Sequence, residues 1–189
     1  MRPWEEHVAA NVGEILFDAE TLARRIAALG EQISNEYEAM DTRELVVIGI
    51  LRGSVVFLSD LVRQIQLPLT LDFMAVSSYT KGTRSSGTVR ILKDLSCSIE
   101  GKDVLIVEDI VDTGLTLKNL SEILTARRPR SLRICTLLDK PSRRTRDGKV
   151  DYRGFEIEDK FVIGFGLDYE DQYRHLPYVG VLKPEAYGE

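Results

Sequence analysis

Residues 104–117 read VLIVEDIVDTGLTL. The four apolar residues Val104 to Val107 predict a buried strand through their continuous, largely β-branched content. Glu108 and Asp109 follow at once, then Asp112. Residues 112–116 (Asp112, Thr113, Gly114, Leu115, Thr116) form a turn into a helix marked by Leu117, Leu120 and Leu124. Strand, small-residue turn and helix make the junction of α/β proteins, whose ligands bind beyond the carboxyl ends of the strands. A helix N-terminus offers unpaired N–H groups and a partial positive charge, which suit a phosphate. Thr113 and Thr116 add hydroxyl donors, and Gly114 lets the backbone come close. The acids would repel a phosphate, so they make sense as partners of sugar hydroxyls or of a hard cation shared with phosphate oxygens. The stretch therefore reads as a site for a phosphorylated sugar. On spacing alone, solvated acids capping an ordinary junction explain it equally well. It is neither a Walker motif nor a dinucleotide fingerprint.

Outward from this stretch, strands and helices alternate. Asp18 is placed to cap a helix running to about Met40, with Leu22, Ile26, Leu29 and Ile33 on one face. Glu44 to Ile50 reads as a buried strand, LRGS as a turn, and Val55 to Ile65 as helical spacing. Leu69 to Val76, the short Val89 to Leu92, Leu132 to Leu138 and Phe161 to Phe165 read as further strands, and Pro129 ends the helix after the opening stretch. Residues 77–88 (SSYTKGTRSSGT) have no apolar period and read as a long exposed loop. The alternation predicts a single α/β domain with a mainly parallel sheet and helices on both faces.

The 189 residues suffice for one sizeable core. With 43% hydrophobic and 29% charged residues the chain reads as soluble and globular. A net charge of -5 argues against non-specific nucleic-acid binding. No apolar run approaches a membrane span, and MRPWEEHVAA lacks the apolar centre of a signal peptide, so a cytoplasmic protein is expected. Cys97 and Cys135 have no metal-type spacing, and His7 and His175 suggest no metal site.

VLIVEDIVDTGLTL closely resembles the phosphoribosyl-pyrophosphate motif of the type I phosphoribosyltransferases. GILRGS (49–54), VSSYTKGTRSSG (76–87), LLDKPSRR (137–144) and GFEIEDKFVIGFGLDYEDQYRHLPYVGVL (154–182) extend the resemblance to the hypoxanthine (hypoxanthine-guanine) branch, over roughly residues 10–182. It implies one type I phosphoribosyltransferase domain over 1–189, with a core at about 38–165 and a small hood from about 1–20 and 166–189. It implies transfer of phosphoribose from phosphoribosyl pyrophosphate to N9 of hypoxanthine, and of guanine, giving the 5′-mononucleotide and pyrophosphate in purine salvage.

The resemblance also implies roles. Glu108, Asp109 and residues 112–116 hold the phosphoribose, with Asp112 the general base or proton partner at purine N7. Arg52, Gly53 and Arg174 hold pyrophosphate, although Lys is common in the family where Arg52 stands. Lys140 donates to the 6-oxo group, Phe161 stacks on the purine, and Val162 offers backbone groups to its edge. Asp168 lies by the base and coordinates Mg²⁺, with Glu108 and Asp109 as further metal-associated acids. Ser78 and Tyr79 open a loop that closes over the reacting centre. Arg144 is placed near the site, and His175 is structural. A homodimer or homotetramer is implied, with small-molecule substrates and neither nucleic acid nor membrane as partner. Two alternatives stay open: a sibling enzyme preferring xanthine, and a non-catalytic regulator that binds phosphoribosyl pyrophosphate. Asp112, Lys140, Asp168 and the acidic charge stand against the regulator.

Overall fold

A computed structural model describes residues 2–81, 84–144 and 149–188. The elements run α1 (Pro3–Asn11), β1 (Val12–Phe17), α2 (Ala19–Ala39), β2 (Leu45–Leu51), α3 (Val55–Val62), β3 (Leu69–Lys81), β4 (Arg84–Lys93), β5 (Asp103–Val111), α4 (Leu115–Thr125), β6 (Ser131–Asp139), β7 (Tyr152–Glu156), β8 (Val162–Ile163) and β9 (Val179–Leu182). A six-stranded sheet has the order β4-β3-β2-β5-β6-β7. Its neighbours pair in parallel except β3 with β4, which are antiparallel. The fold is thus α/β, with a mostly parallel sheet flanked by helices.

Strand periodicity builds the two faces. Along β2, Leu45 and Val47 pack with Leu22, Ile26, Phe57 and Leu61 of α2 and α3. Val46, Ile48 and Ile50 pack with Leu117, Leu120 and Leu124 of α4. The residues expected on one face of α2, namely Leu22, Ile26, Leu29 and Ile33, are all buried. Asp18 caps that helix, its side chain accepting from the Thr21 N–H at 2.8 Å.

Several expectations need correction. Residues 77–81 and 84–88, expected as part of a long loop, are strand: β3 runs to Lys81 and β4 starts at Arg84, with Ser77 opposite Arg90 and Ser78 opposite Val89. Their polar sequence has no period-2 apolar pattern to mark a strand. Ser78 and Tyr79 therefore lie in β3. Their side chains, with Gly82 and Thr83, fall outside the described residues, and the closing-loop assignment falls there with them. Phe161 to Phe165 is not a strand of the main sheet. Only Val162–Ile163 is extended, and it joins β9 and β1 in a separate three-stranded sheet. Gly164, Phe165 and Gly166 all have positive φ (90°, 50° and 102°), which ends the strand. The expected helix from Val55 to Ile65 stops at Val62.

Candidate active site

The chain turns from β2 to β3 and β4 on one side of the sheet, then crosses to β5, β6 and β7 on the other. The strand order therefore reverses between β2 and β5, and a crevice opens beyond their carboxyl ends. Arg52 and Gly53 leave β2 there, after a cis Leu51-Arg52 peptide bond. Glu108 and Asp109 lie in the last part of β5 rather than beyond it.

Alternation along β5 sends the two neighbouring acids to opposite faces. Glu108 borders a small cavity of about 130 Å³ together with Asp112, Thr113, Gly114 and Thr116. Asp109 borders a larger one of about 630 Å³ with Asp112, Lys140, Phe161, Val162 and Asp168. Asp112 and Ile110 line both, so the cavities meet at the turn. A separate depression of about 580 Å³ between α4 and β6 contains none of the predicted residues.

The small cavity is shaped by the N-terminus of α4. Gly114 is the residue before the helix, at φ 75°, a conformation that glycine takes without steric cost. The Leu115 N–H points back to Thr113 Oγ1 at 3.4 Å, and Leu115 itself opens the helix outside the cavity lining. Burial and the neighbouring Asp109 charge push the Glu108 carboxyl well above the usual carboxylate range. Burial likewise pushes Asp109 up to about 6, against its backbone hydrogen bonds and the Arg174 charge. At Asp109 the cost of burial outweighs the nearby Arg174 charge.

Asp109 is also packed against the β2 turn. A Cβ added at Gly53 would lie 1.6 Å from Asp109 Oδ2, so any side chain there must displace the Asp109 carboxylate. A Cβ at Gly166 would lie 2.1 Å from the Gly53 carbonyl oxygen. The segment after β8 is thus pressed onto this turn and carries Asp168, Asp171 and Arg174. Arg174 pairs with Asp168 at 2.6 Å and donates to the Gly166 carbonyl at 2.8 Å. Arg52 pairs with Asp171.

On the far wall, Lys140 follows β6 and is 7% exposed, its Nζ 3.3 Å from Asp159 Oδ1. Phe161 is 41% exposed, with one side stacked on Tyr187 at 5.3 Å and the edge of Tyr169 against it. Arg143 bridges Asp112 at 3.0 Å and Asp159 at 3.2 Å. Arg143, Asp159 and Tyr187 were not picked out from the sequence. Arg143 sat in a basic run that reads as a solvated connection, and the tight turn after Lys140 brings it back to the cavity. Arg144 pairs with the fully buried Asp139, the residue before Lys140, at 2.8 Å. His175 packs tilted against Trp4 at 5.0 Å, as part of an aromatic cluster away from the cavity lining.

Residues 13–170 match the phosphoribosyl transferase domain. The chain belongs to the phosphoribosyltransferase family. Its similarity to relatives runs through nearly all of its length. It is 51% identical over 180 residues to the hypoxanthine-guanine phosphoribosyltransferase of Mycobacterium tuberculosis, covering 94% of this chain and 89% of that protein. It is 51% identical to the protein of the same name from Staphylococcus aureus, covering 92% and 96%. A crystal structure of a hypoxanthine phosphoribosyltransferase from Staphylococcus aureus superimposes with a TM-score of 0.92 at 47% identity, covering 100% of both chains. A Trypanosoma cruzi hypoxanthine phosphoribosyl transferase, solved to study how its C-terminal region affects oligomeric state and activity, gives 0.90 at 44% identity over 94% of each. The phosphoribosyltransferase domain match includes Glu108, Asp109, the 112–116 turn and Lys140, while Arg174 lies just past it.

Proposed function

We propose that this protein is a purine-salvage enzyme that transfers phosphoribose from phosphoribosyl pyrophosphate to N9 of hypoxanthine and of guanine, releasing pyrophosphate. One observation carries the reading. A single cavity of about 630 Å³ joins a buried ammonium (Lys140), an exposed aromatic face (Phe161) and the acids Asp109, Asp112 and Asp168, next to the N-terminus of α4.

In this reading the 5′-phosphate sits at the turn 112–116, on the N–H groups and hydroxyls that open α4. Glu108 and Asp109 face the ribose hydroxyls. Breaking the anomeric bond builds positive charge on the ribose, and the carboxylate wall stabilises it electrostatically. Arg52 and Arg174 hold the leaving pyrophosphate, with the Gly53 turn packed against Asp109. The purine stacks on Phe161, its edge meets the backbone at Val162, and Lys140 donates to its 6-oxo group. An ammonium only donates, so a 6-amino purine is refused at that position. Asp112 takes the proton displaced from the purine as N9 becomes bonded.

Mg²⁺ fits this donor set. Among the described residues no group of three or more His, Cys, Asp or Glu side chains could hold a metal by itself. Magnesium instead favours one or two carboxylates plus substrate oxygens and water, and Asp109 and Asp168 offer hard, anionic oxygens in the same cavity, with Glu108 behind them. A bound Mg²⁺ would neutralise charge gathering on the leaving pyrophosphate. The assembly is a homodimer or homotetramer working in the cytoplasm.

The test is direct. The purified protein, given phosphoribosyl pyrophosphate and Mg²⁺, forms the mononucleotides of hypoxanthine and guanine and none of adenine, and a chelator stops it. Equal use of adenine, or xanthine as the only substrate, overturns the assignment.

A further inference from the structure

We propose that Asp171 is an internal anion that occupies the place of pyrophosphate between Arg52 and Arg174, and so sets how tightly the site holds that group. This rests on the reading of the two arginines as pyrophosphate ligands and goes beyond it.

The geometry is specific. Arg52 Nη2 and Arg174 Nη2 converge on one oxygen, Asp171 Oδ1, the second at 3.3 Å. Arg52 comes from the turn after β2 and Arg174 from the segment before β9, so the carboxylate bridges the two walls of the crevice. Both arginines hold Asp171 below the usual carboxylate range, Arg52 more than Arg174. Arg52 would otherwise project freely, since its side chain is 67% exposed and Asp171 is its one partner among the ion pairs of the described residues. Arg, unlike Lys, presents a planar fork that can hold a carboxylate or a phosphate in the same orientation.

The bridge is built to be exchanged. The Asp171 side chain is 62% exposed, so water screens the pair and releasing it costs little. The backbone beneath it is fixed independently. The Asp171 N–H donates to Asp168 Oδ2 at 2.9 Å. Nearby Tyr173 is buried, with its hydroxyl 2.7 Å from His7 Nε2 and accepting from Asn11 at 3.1 Å. Opening the bridge therefore moves side chains and leaves the segment in place. A diphosphate brings several anionic oxygens and displaces a single carboxylate. The carboxylate returns when the diphosphate leaves, which pairs Arg52 again, while Arg174 keeps Asp168 at 2.6 Å, and speeds release of the product.

Asp171→Asn is the clean perturbation. Asp171 sits at φ 62°, where Asn is at home. Binding of pyrophosphate with Mg²⁺ to the full chain, measured by calorimetry, is expected to tighten about three- to tenfold, the range set by losing two exposed ion pairs. Asp171→Glu should leave it near the wild-type value. An unchanged or weaker affinity in Asp171→Asn overturns the inference. Arg52→Ala and Arg174→Ala test the underlying reading separately: each should weaken pyrophosphate binding, and if neither does, that reading fails and this inference with it. Trp4, the chain's single tryptophan, packs tilted against Tyr173 at 5.7 Å and reports on the segment. Its emission should be unchanged in Asp171→Asn. A shift would mean that Asp171 holds the backbone rather than the arginines, and would also overturn the proposal.

Discussion

Asp109→Asn should make the protein more stable while disabling it. Asp109 is held at about 6 against an ordinary 3.8, a difference worth about 3 kcal/mol at about 1.4 kcal/mol per pH unit. The sign follows from linkage. A carboxyl whose folded pKa is raised binds its proton more tightly in the native state, so stability is lost as pH rises from about 4 through about 6 and is regained on acidification. At pH 7.5, without divalent cation or substrate, wild type therefore carries the full cost of an ionised, confined Asp109. Asparagine removes that charge and keeps the oxygen that accepts from the Ile110 N–H at 2.8 Å. Urea unfolding at pH 7.5 should show a gain of about 2–3 kcal/mol, or roughly 4–12 °C in Tm for a chain of this size. The gain should shrink toward zero near pH 4, where wild-type Asp109 is protonated. Turnover should fall sharply. A variant no more stable than wild type at pH 7.5, or a gain independent of pH, would refute the claim that this acid is electrostatically uncompensated in the free protein.

Three further variants probe separate parts of the site. Asp112→Ala should lower kcat by about 10²–10³-fold while phosphoribosyl-pyrophosphate affinity changes little, and unchanged kcat in steady-state assays would remove its proton role. Lys140→Ala should lower kcat/KM for hypoxanthine by about 10–100-fold, the cost of one hydrogen bond from a charged donor, with the KM for phosphoribosyl pyrophosphate preserved. An equal loss toward both substrates would contradict its place at the base. Gly53→Ala drives a methyl group into Asp109 and should cost roughly a hundredfold in turnover through misplacement, with circular dichroism and the buried core unaffected. Wild-type turnover would show that the contact between this turn and Asp109 has no part in the reaction.

Where an element buries a regular apolar stripe, its residues announce it. Leu22, Ile26, Leu29 and Ile33 mark α2, and the VLIV run marks β5, because burial on one or both sides dictates their spacing. The pairing of β3 with β4 is silent because the polar residues there carry no period-2 apolar pattern. Helix α1 has no buried residue, and β7 alternates only weakly, so neither carries a period to read. The end of β8 is decided by three consecutive left-handed residues, two of them glycines that look innocuous inside FVIGFG. Within the site, the acids and the turn at 108–116 were legible because charge beside an apolar run is chemically odd. Asp159 and Arg143 were not, since charged residues in polar loops are ordinary until the fold brings them to Lys140 and Asp112. The division of Glu108 and Asp109 between two cavities also needed the strand to be seen running through both residues.

The most direct measurement is a crystal structure of the protein with inosine 5′-monophosphate. The 5′-phosphate should lie about 3 Å from backbone N–H groups of residues 113–116, with the ribose hydroxyls toward Glu108 and Asp109 and the 6-oxo group on Lys140. A phosphate bound elsewhere, with the turn before α4 left empty, would contradict the account.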